Sequence, residues 1–172
     1  MQLKLIPIHD QLEEYMAPVY SSEEAACFDI KADIKGRSIK IANENNIIET
    51  TLPDSDLDRF ILEPYHRALI PTGFIFVIPH GYSMRLHPRS GHSWKHSIAL
   101  MNGEGIIDSD YSLETFALLV NRSRDEFIIN HGDRIAQGEI VPNNRTTFEV
   151  LEVGTPFNNT TNRRGGFGST GS

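Results

Sequence analysis

The sequence is poor in the residues that would tie it together covalently or anchor it in lipid. Cys27 is its one cysteine, so no disulfide can close within the chain, and a reducing compartment is the expected setting. No apolar run approaches the roughly 20 residues that span a bilayer, and the opening MQLKLIPIHD is too short and too polar for a secretory signal. A soluble, cytoplasmic protein without a membrane partner is expected. Cations are in deficit as well: 16 Lys and Arg face 23 Asp and Glu, a formal net charge of −7. That balance excludes a non-specific grip on nucleic acid. An anionic ligand would need a local basic pocket. His9, His66, His80, His87, His92, His96 and His131 never fall into the close Cys/His or HExxH spacing of a zinc site, and they read as surface or turn residues. A Gly-x-Ser-x-Gly elbow and a Walker loop are also missing.

What is present is a succession of short apolar stretches punctuated by Gly, Pro, Asn and Asp. They run over Leu3–Ile8, Phe28–Ala32, Ser38–Ile41, Ile47–Thr51, Ala68–Ile70, Gly73–Ile78, Tyr82–His87, Ile98–Met101, Phe116–Asn121, Phe127–Ile129, Arg134–Pro142 and Phe148–Val153. Many alternate or are β-branched, which predicts strands and an all-β sandwich, jelly roll or barrel in a single domain. In SMRLHPRS, Met84 and Leu86 fall on one face, Arg85 and His87 on the other. Long helices are absent. HDQLEEYM predicts about two turns from an Asp10 cap, and DSDLDRFI one or two from Asp54 or Ser55. Gly36–Leu62 reads as a hairpin or surface excursion. From Asn158 onward the composition shifts to Asn, Thr, Arg and Gly, as in a mobile arm leaving a core that spans residues 1–157.

Three stretches could carry chemistry. In HPRSGHSWKHSI, Pro88 fixes the backbone, and Arg89, Ser90 and Gly91 then supply a cation, a hydroxyl and an unhindered backbone N–H. That set suits a phosphate oxygen, although an ordinary turn with a surface arginine has the same composition. In LMNGEGIIDSDYSLE, Gly103 and Gly105 flank Glu104 in a tight hairpin, and Ile106 and Ile107 lead into Asp108. An acid beside an apolar pair is a candidate general base if desolvation raises its proton affinity; it is equally a turn former. Tyr111 reads as core or rim. In HGDRIAQGEIVP, Asp133 either pairs with Arg134 or caps the turn, and Gln137 is a lone amide donor.

Taken in order, these stretches resemble the trimeric, all-β dUTPases. ACFDI (Ala26–Ile30) resembles that family's first motif, PRSG (Pro88–Gly91) the second and NGEGIIDSDY (Asn102–Tyr111) the third. GDRIAQ (Gly132–Gln137) resembles the fourth and GGFGSTG (Gly165–Gly171) the fifth. The resemblance implies a jelly-roll-like β barrel assembled as a homotrimer with shared active sites. It implies hydrolysis of dUTP to dUMP and pyrophosphate, which supplies dUMP for thymidylate synthesis and keeps uracil out of DNA. Asp108 would be the general base for water attacking the α-phosphorus. Asn102 and the backbone around Gly105 and Ile107 would read uracil, and Tyr111 would pack on deoxyribose. Arg89, Ser90 and Gly91 would hold phosphates, assisted by Gln137. Mg²⁺ would ride on the triphosphate without a direct protein ligand, with Asp29 near its water shell. Residues 158–172 would close as a lid: Phe167 on the uracil, Gly168, Ser169 and Thr170 around the phosphates, and Arg163 or Arg164 on the γ-phosphate. Departures are Cys27 and Leu113 where the family usually has glycine, Gly138 where an apolar residue is common, and Asn162 in the usual place of the tail arginine. Two other readings share the fold: a dCTP deaminase, and a non-catalytic trimer that binds a nucleotide or a protein, the latter through residues 36–62.

Overall fold

Alternation along the chain is read out as strands in the computed structural model, which describes residues 2–54 and 58–156. The strands are β1 (Lys4–Pro7), β2 (Val19–Tyr20), β3 (Phe28–Lys31), β4 (Ile39–Ala42), β5 (Ile48–Thr51), β6 (Arg59–Leu62) and β7 (Arg67–Pro71). They continue as β8 (Phe74–Val77), β9 (Tyr82–His87), β10 (Ile98–Leu100), β11 (Gly105–Asp108), β12 (Phe116–Asn121), β13 (Phe127–Asn130) and β14 (Arg134–Pro142). One helix, α1 (Ser90–His96), and a 3₁₀ turn at Glu14–Met16 interrupt them. Two five-stranded antiparallel sheets, ordered β10-β12-β7-β4-β5 and β11-β9-β14-β3-β2, form the layers, with the pairs β1-β8 and β13-β6 beside them. Inward residues of both sheets meet in one core: Ile30, Met84, Leu86 and Ala136 from one, Ile39, Ile70, Ala117 and Leu119 from the other. The expected all-β, jelly-roll-like class is what the chain adopts.

β14 occupies the middle of its sheet and pairs on both edges. Gln137 lies opposite His87 of β9 on one side and Asp29 of β3 on the other, and Gly138 lies opposite Leu86 and Phe28. The Phe28 ring passes so close that a Cβ on Gly138 would stand 2.7 Å from its Cε2 atom. Glycine here is required by packing, which accounts for its presence where an apolar side chain was the common choice.

A second organising feature is a buried charge cluster. Asp33 is fully buried and Glu114 nearly so. Arg37 donates to Asp33 at 2.6 Å and to both oxygens of Glu114 at 2.7 and 2.6 Å, and Glu114 also accepts from the Gly73 N–H at 2.8 Å. The guanidinium is planar and forked, so it can saturate one carboxylate and still reach another. His9 meets Asp33 at 3.0 Å, and His131 Nδ1 accepts from the Ile34 N–H at 3.2 Å. These two histidines are therefore part of the packing, not surface groups.

Several local expectations are corrected. The helix expected from Asp10 is a single 3₁₀ turn, pinned by Met16, which is 1% exposed. The helix expected from Asp54 or Ser55 falls partly on residues 55–57, outside the described residues. Its remainder forms β6, because Phe60 and Leu62 are both core residues two apart, the spacing of a strand face. PRSG opens α1 and is not merely a turn. Phe148–Val153 forms no strand, and Phe148 and Val150 are almost fully exposed. Gly36–Leu62 does contain a hairpin, β4–β5, but β4 pairs with β7 and buries Ile39 and Ala42, while β5 is the exposed edge.

Gly138→Ala is expected to cost about 1–3 kcal/mol, because the added methyl must displace the Phe28 ring; chemical denaturation would read it as a lowered midpoint. Arg37→Met is expected to cost more, about 3–5 kcal/mol, by stranding two buried carboxylates. An unchanged midpoint in the second variant would show that the cluster contributes nothing to folding.

Candidate active site

Arginines converge at the start of α1. Asp29 is 8% exposed, and its two oxygens face different guanidinium groups. Arg89 Nε lies 3.5 Å from Oδ1, and Arg134 Nη1 donates to Oδ2 at 3.1 Å. Arg89 Nη1 also donates to the Arg134 carbonyl at 3.1 Å. Gln137 donates its side-chain amide to the Pro88 carbonyl at 3.1 Å, which ties β14 to the residue before Arg89. His92, one helical turn on, lies 3.3 Å from Arg89 Nη1. Burial and the Arg89 charge push the His92 pKa down, so the ring stays neutral beside the cation. Arg89, His92 and Arg134 line a cavity of about 460 Å³ with His96, Phe127, Ile128, Glu126 and Asp133. The two guanidinium groups are the donors there suited to a phosphate, standing beside two acids, so they act as local donors and not through a net positive charge. Ser90 and Gly91 are exposed at the mouth, and a Cβ on Gly91 would meet nothing within 4 Å. The chain's own packing leaves that backbone open to a ligand.

The second group of candidates sits on β11. Asp108 pairs with Ser83 and Gly105 with Leu86 across the β9 ladder. Gly105 is closely packed, since a Cβ there would lie 3.0 Å from the Leu86 Cβ. β11 is the edge of its sheet, so its outer backbone groups face no strand. The Asp108 backbone carbonyl accepts from the Tyr111 N–H at 3.1 Å, and the Tyr111 hydroxyl donates to the Glu114 carbonyl at 3.0 Å. That bond closes the turn without a left-handed residue at Leu113, so the usual glycine is not needed there. Asp108 lies in a cavity of about 390 Å³ with His80, Asp110, Asn143 and Arg145. It is exposed, as is Ile106, so the expected desolvation is not provided by this chain alone. Asn102 is exposed in the preceding turn, and Ile107 packs against the core.

The two groups are thus separate. Arg89, Ser90, Gly91 and Gln137 gather with Asp29 beyond one end of β9, whereas Asp108 lies opposite Ser83 near its other end. The interval from Ser83 to Arg89 corresponds to about 20 Å at about 3.3 Å per residue. Asp29, expected near a metal's water shell, is found between arginines. Arg163, Arg164, Phe167, Gly168 and Ser169 lie outside the described residues. Sequence reading did not single out Arg134 as a site residue. Asp133 instead caps its own turn by accepting from Asn130, which leaves Arg134 to Asp29. His92 was also overlooked; its place three residues after Arg89 signals proximity only once a helix begins there.

Comparison with known proteins identifies the family. The dUTPase family profile matches residues 55–171. The deoxyuridine 5'-triphosphate nucleotidohydrolase of Rhizobium etli (strain CIAT 652) is 40% identical over 154 residues, covering 90% of this chain and 84% of the relative. That of Nautilia profundicola is 35% identical over 171 residues, covering 99% of both chains. Among solved structures, a mutant dUTPase of Staphylococcus bacteriophage 80alpha with dUpNHpp superposes with a TM-score of 0.71 at 20% identity, covering 99% of each chain. The dUTPase of Streptococcus mutans gives 0.61 at 23% identity, covering 86% of this chain and 98% of that one. This chain belongs to the dUTPase family.

Proposed function

We propose that this protein hydrolyses dUTP to dUMP and pyrophosphate, in homotrimers whose active sites are shared between subunits. The observation that carries the reading is the separation just described: Arg89 lines one cavity of the chain and Asp108 another. Sharing reunites them, because a subunit related by rotation can present its Arg89 group to a neighbour's Asp108. Phe148–Val153 supports assembly from another direction. It is rich in exposed apolar side chains with no strand partner among the described residues, and a neighbouring subunit is the natural cover.

In that assembly Asp108 orients a water molecule and takes its proton as the water oxygen attacks the α-phosphorus. The bond from that phosphorus to the bridging oxygen breaks, and pyrophosphate leaves. Arg89, held by Asp29, meets the phosphate charge with Ser90, the Gly91 N–H and Gln137. The outer edge of β11 around Gly105 and Ile107, with Asn102, hydrogen-bonds the uracil edge, and a tight pocket rejects the thymine methyl by steric exclusion. Tyr111 packs on the sugar where a 2'-hydroxyl would stand. From the tail, Phe167 covers the base, Gly168 and Ser169 wrap the phosphates, and Arg163 or Arg164 meets the γ-phosphate, which excludes water and aligns the nucleophile.

The fit of Mg²⁺ follows from the donors present. Both Asp29 oxygens face arginines and are not left free to ligate, so the residues suit an ion carried in by triphosphate oxygens and water, the ligands Mg²⁺ prefers. When bound it neutralises charge on the triphosphate. A solved mutant dUTPase from phage phi11 of S. aureus coordinates a structural Mg(II) ion.

Pyrophosphate release from dUTP, dTTP, dCTP and UTP is expected for dUTP alone. Asp108→Asn should lower kcat by about 10²–10⁴-fold, the contribution of a positioned base, and ending the chain at Asn162 should lower it strongly. An intact chain that leaves dUTP untouched, or releases ammonia from dCTP, overturns the assignment. Sharing has its own test. Arg89→Ala and Asp108→Asn subunits, each inactive alone, should regain activity when unfolded and refolded together, since mixed trimers contain sites with both native groups. No recovery in mixed trimers would place each site within one subunit.

A further inference from the structure

The register of β14 brings together three side chains that the hydrolytic reading does not use. Phe28 lies opposite Gly138, so Cys27, one residue earlier, comes beside Glu139. On the other edge His87 lies opposite Gln137, and its ring reaches diagonally to the same glutamate, with Nε2 3.0 Å from Glu139 Oε1. One ligand atom each from Cys27, His87 and Glu139 lie within 4.8 Å of one another, and all three residues are partly buried. The other ring nitrogen of His87 faces Glu104, with Nδ1 3.7 Å from Oε1. A histidine held by a carboxylate at one nitrogen and presenting the other to a donor cluster has the arrangement of a metal-ligating imidazole with its outer partner in place.

We propose that Cys27, His87 and Glu139 form a binding site for a zinc-class divalent ion, with water completing a tetrahedral shell. Bond lengths of about 2.0–2.3 Å place tetrahedral ligands about 3.3–3.8 Å apart, a small contraction of the spacing found. The sulfur selects the ion: thiolate and imidazole favour Zn²⁺ or Co²⁺ and offer little to Mg²⁺, which takes oxygen. This site is therefore distinct from any magnesium travelling with a nucleotide. Its position suggests its use. Cys27 is two residues before Asp29, His87 two before Arg89 and Glu139 two after Gln137, so one ion would clasp the three strands that hold Arg89 in place.

The test is Co²⁺ titration of the full chain under a non-thiol reductant. The expected result is one equivalent bound per chain, with a thiolate-to-cobalt charge-transfer band and tetrahedral d–d absorption, both displaced by Zn²⁺. Cys27→Ala should abolish the band, and His87→Gln and Glu139→Gln should each weaken binding at least about tenfold. Circular dichroism without metal checks that each variant folds. The wild-type chain supplies a second reading if a variant does not: saturating Zn²⁺ should slow alkylation of Cys27 at least about tenfold. It should also raise the melting temperature by about 5–10 °C at a hundredfold excess over Kd. An absent charge-transfer band, undiminished affinity in both His87→Gln and Glu139→Gln, or an alkylation rate unmoved by Zn²⁺ would overturn the proposal.

Discussion

The double pairing of β14 is the constraint on which the rest of the structure depends. Held on one edge by β3 and on the other by β9, it cannot slip by a residue without turning every side chain to the opposite face. Gln137 is thereby set opposite both Asp29 and His87, and its amide reaches Pro88 just before Arg89. An irregularity between Arg134 and Ala136 shifts the pairing with β3, and the Arg134 side chain beside it reaches Asp29. Gly138 permits all of this, since any larger residue would collide with Phe28.

Charge is used in two contrasting ways. Around Arg37 the carboxylates outnumber the guanidinium; the Gly73 N–H and His9 add to their hydrogen bonding, and Asp33 Oδ1 is buried with no hydrogen-bond partner among the described residues. Such a cluster is structural, and its value lies in the cost of breaking it. Around Asp29 the ratio is reversed, with two guanidinium groups on one carboxylate. The arginines are oriented by Asp29 without being neutralised. That difference leaves two guanidinium groups as local hydrogen-bond donors in a chain of net charge −7.

The ends of β9, β12 and β14 agree with the sequence reading residue for residue, because long alternation flanked by turn formers leaves few alternatives. The dUTPase motifs were legible as ordered strings, and among the described residues Arg89 and Asp108 fall into two separate groups. Less legible were features created by a partner. β6 is a strand because β13 lies beside it, and Phe148–Val153, also rich in apolar residues, is not one because no strand among the described residues does. PRSG concealed a helix, since Pro, Ser and Gly suit a turn and a helix start alike.

Composition and order along the chain by themselves determined the all-β class and the family, and they named the candidate residues for chemistry. Those properties are local, or written in spacing. Tertiary structure decided how the residues are combined. It placed Arg134 on Asp29 rather than on its neighbour Asp133, set Asp108 and Arg89 apart along β9, and brought Cys27, His87 and Glu139 together from distant parts of the chain. No sequence spacing announces that last group, because its ligands meet only across strand ladders, and a ladder's register is the outcome of packing both faces and edges at once.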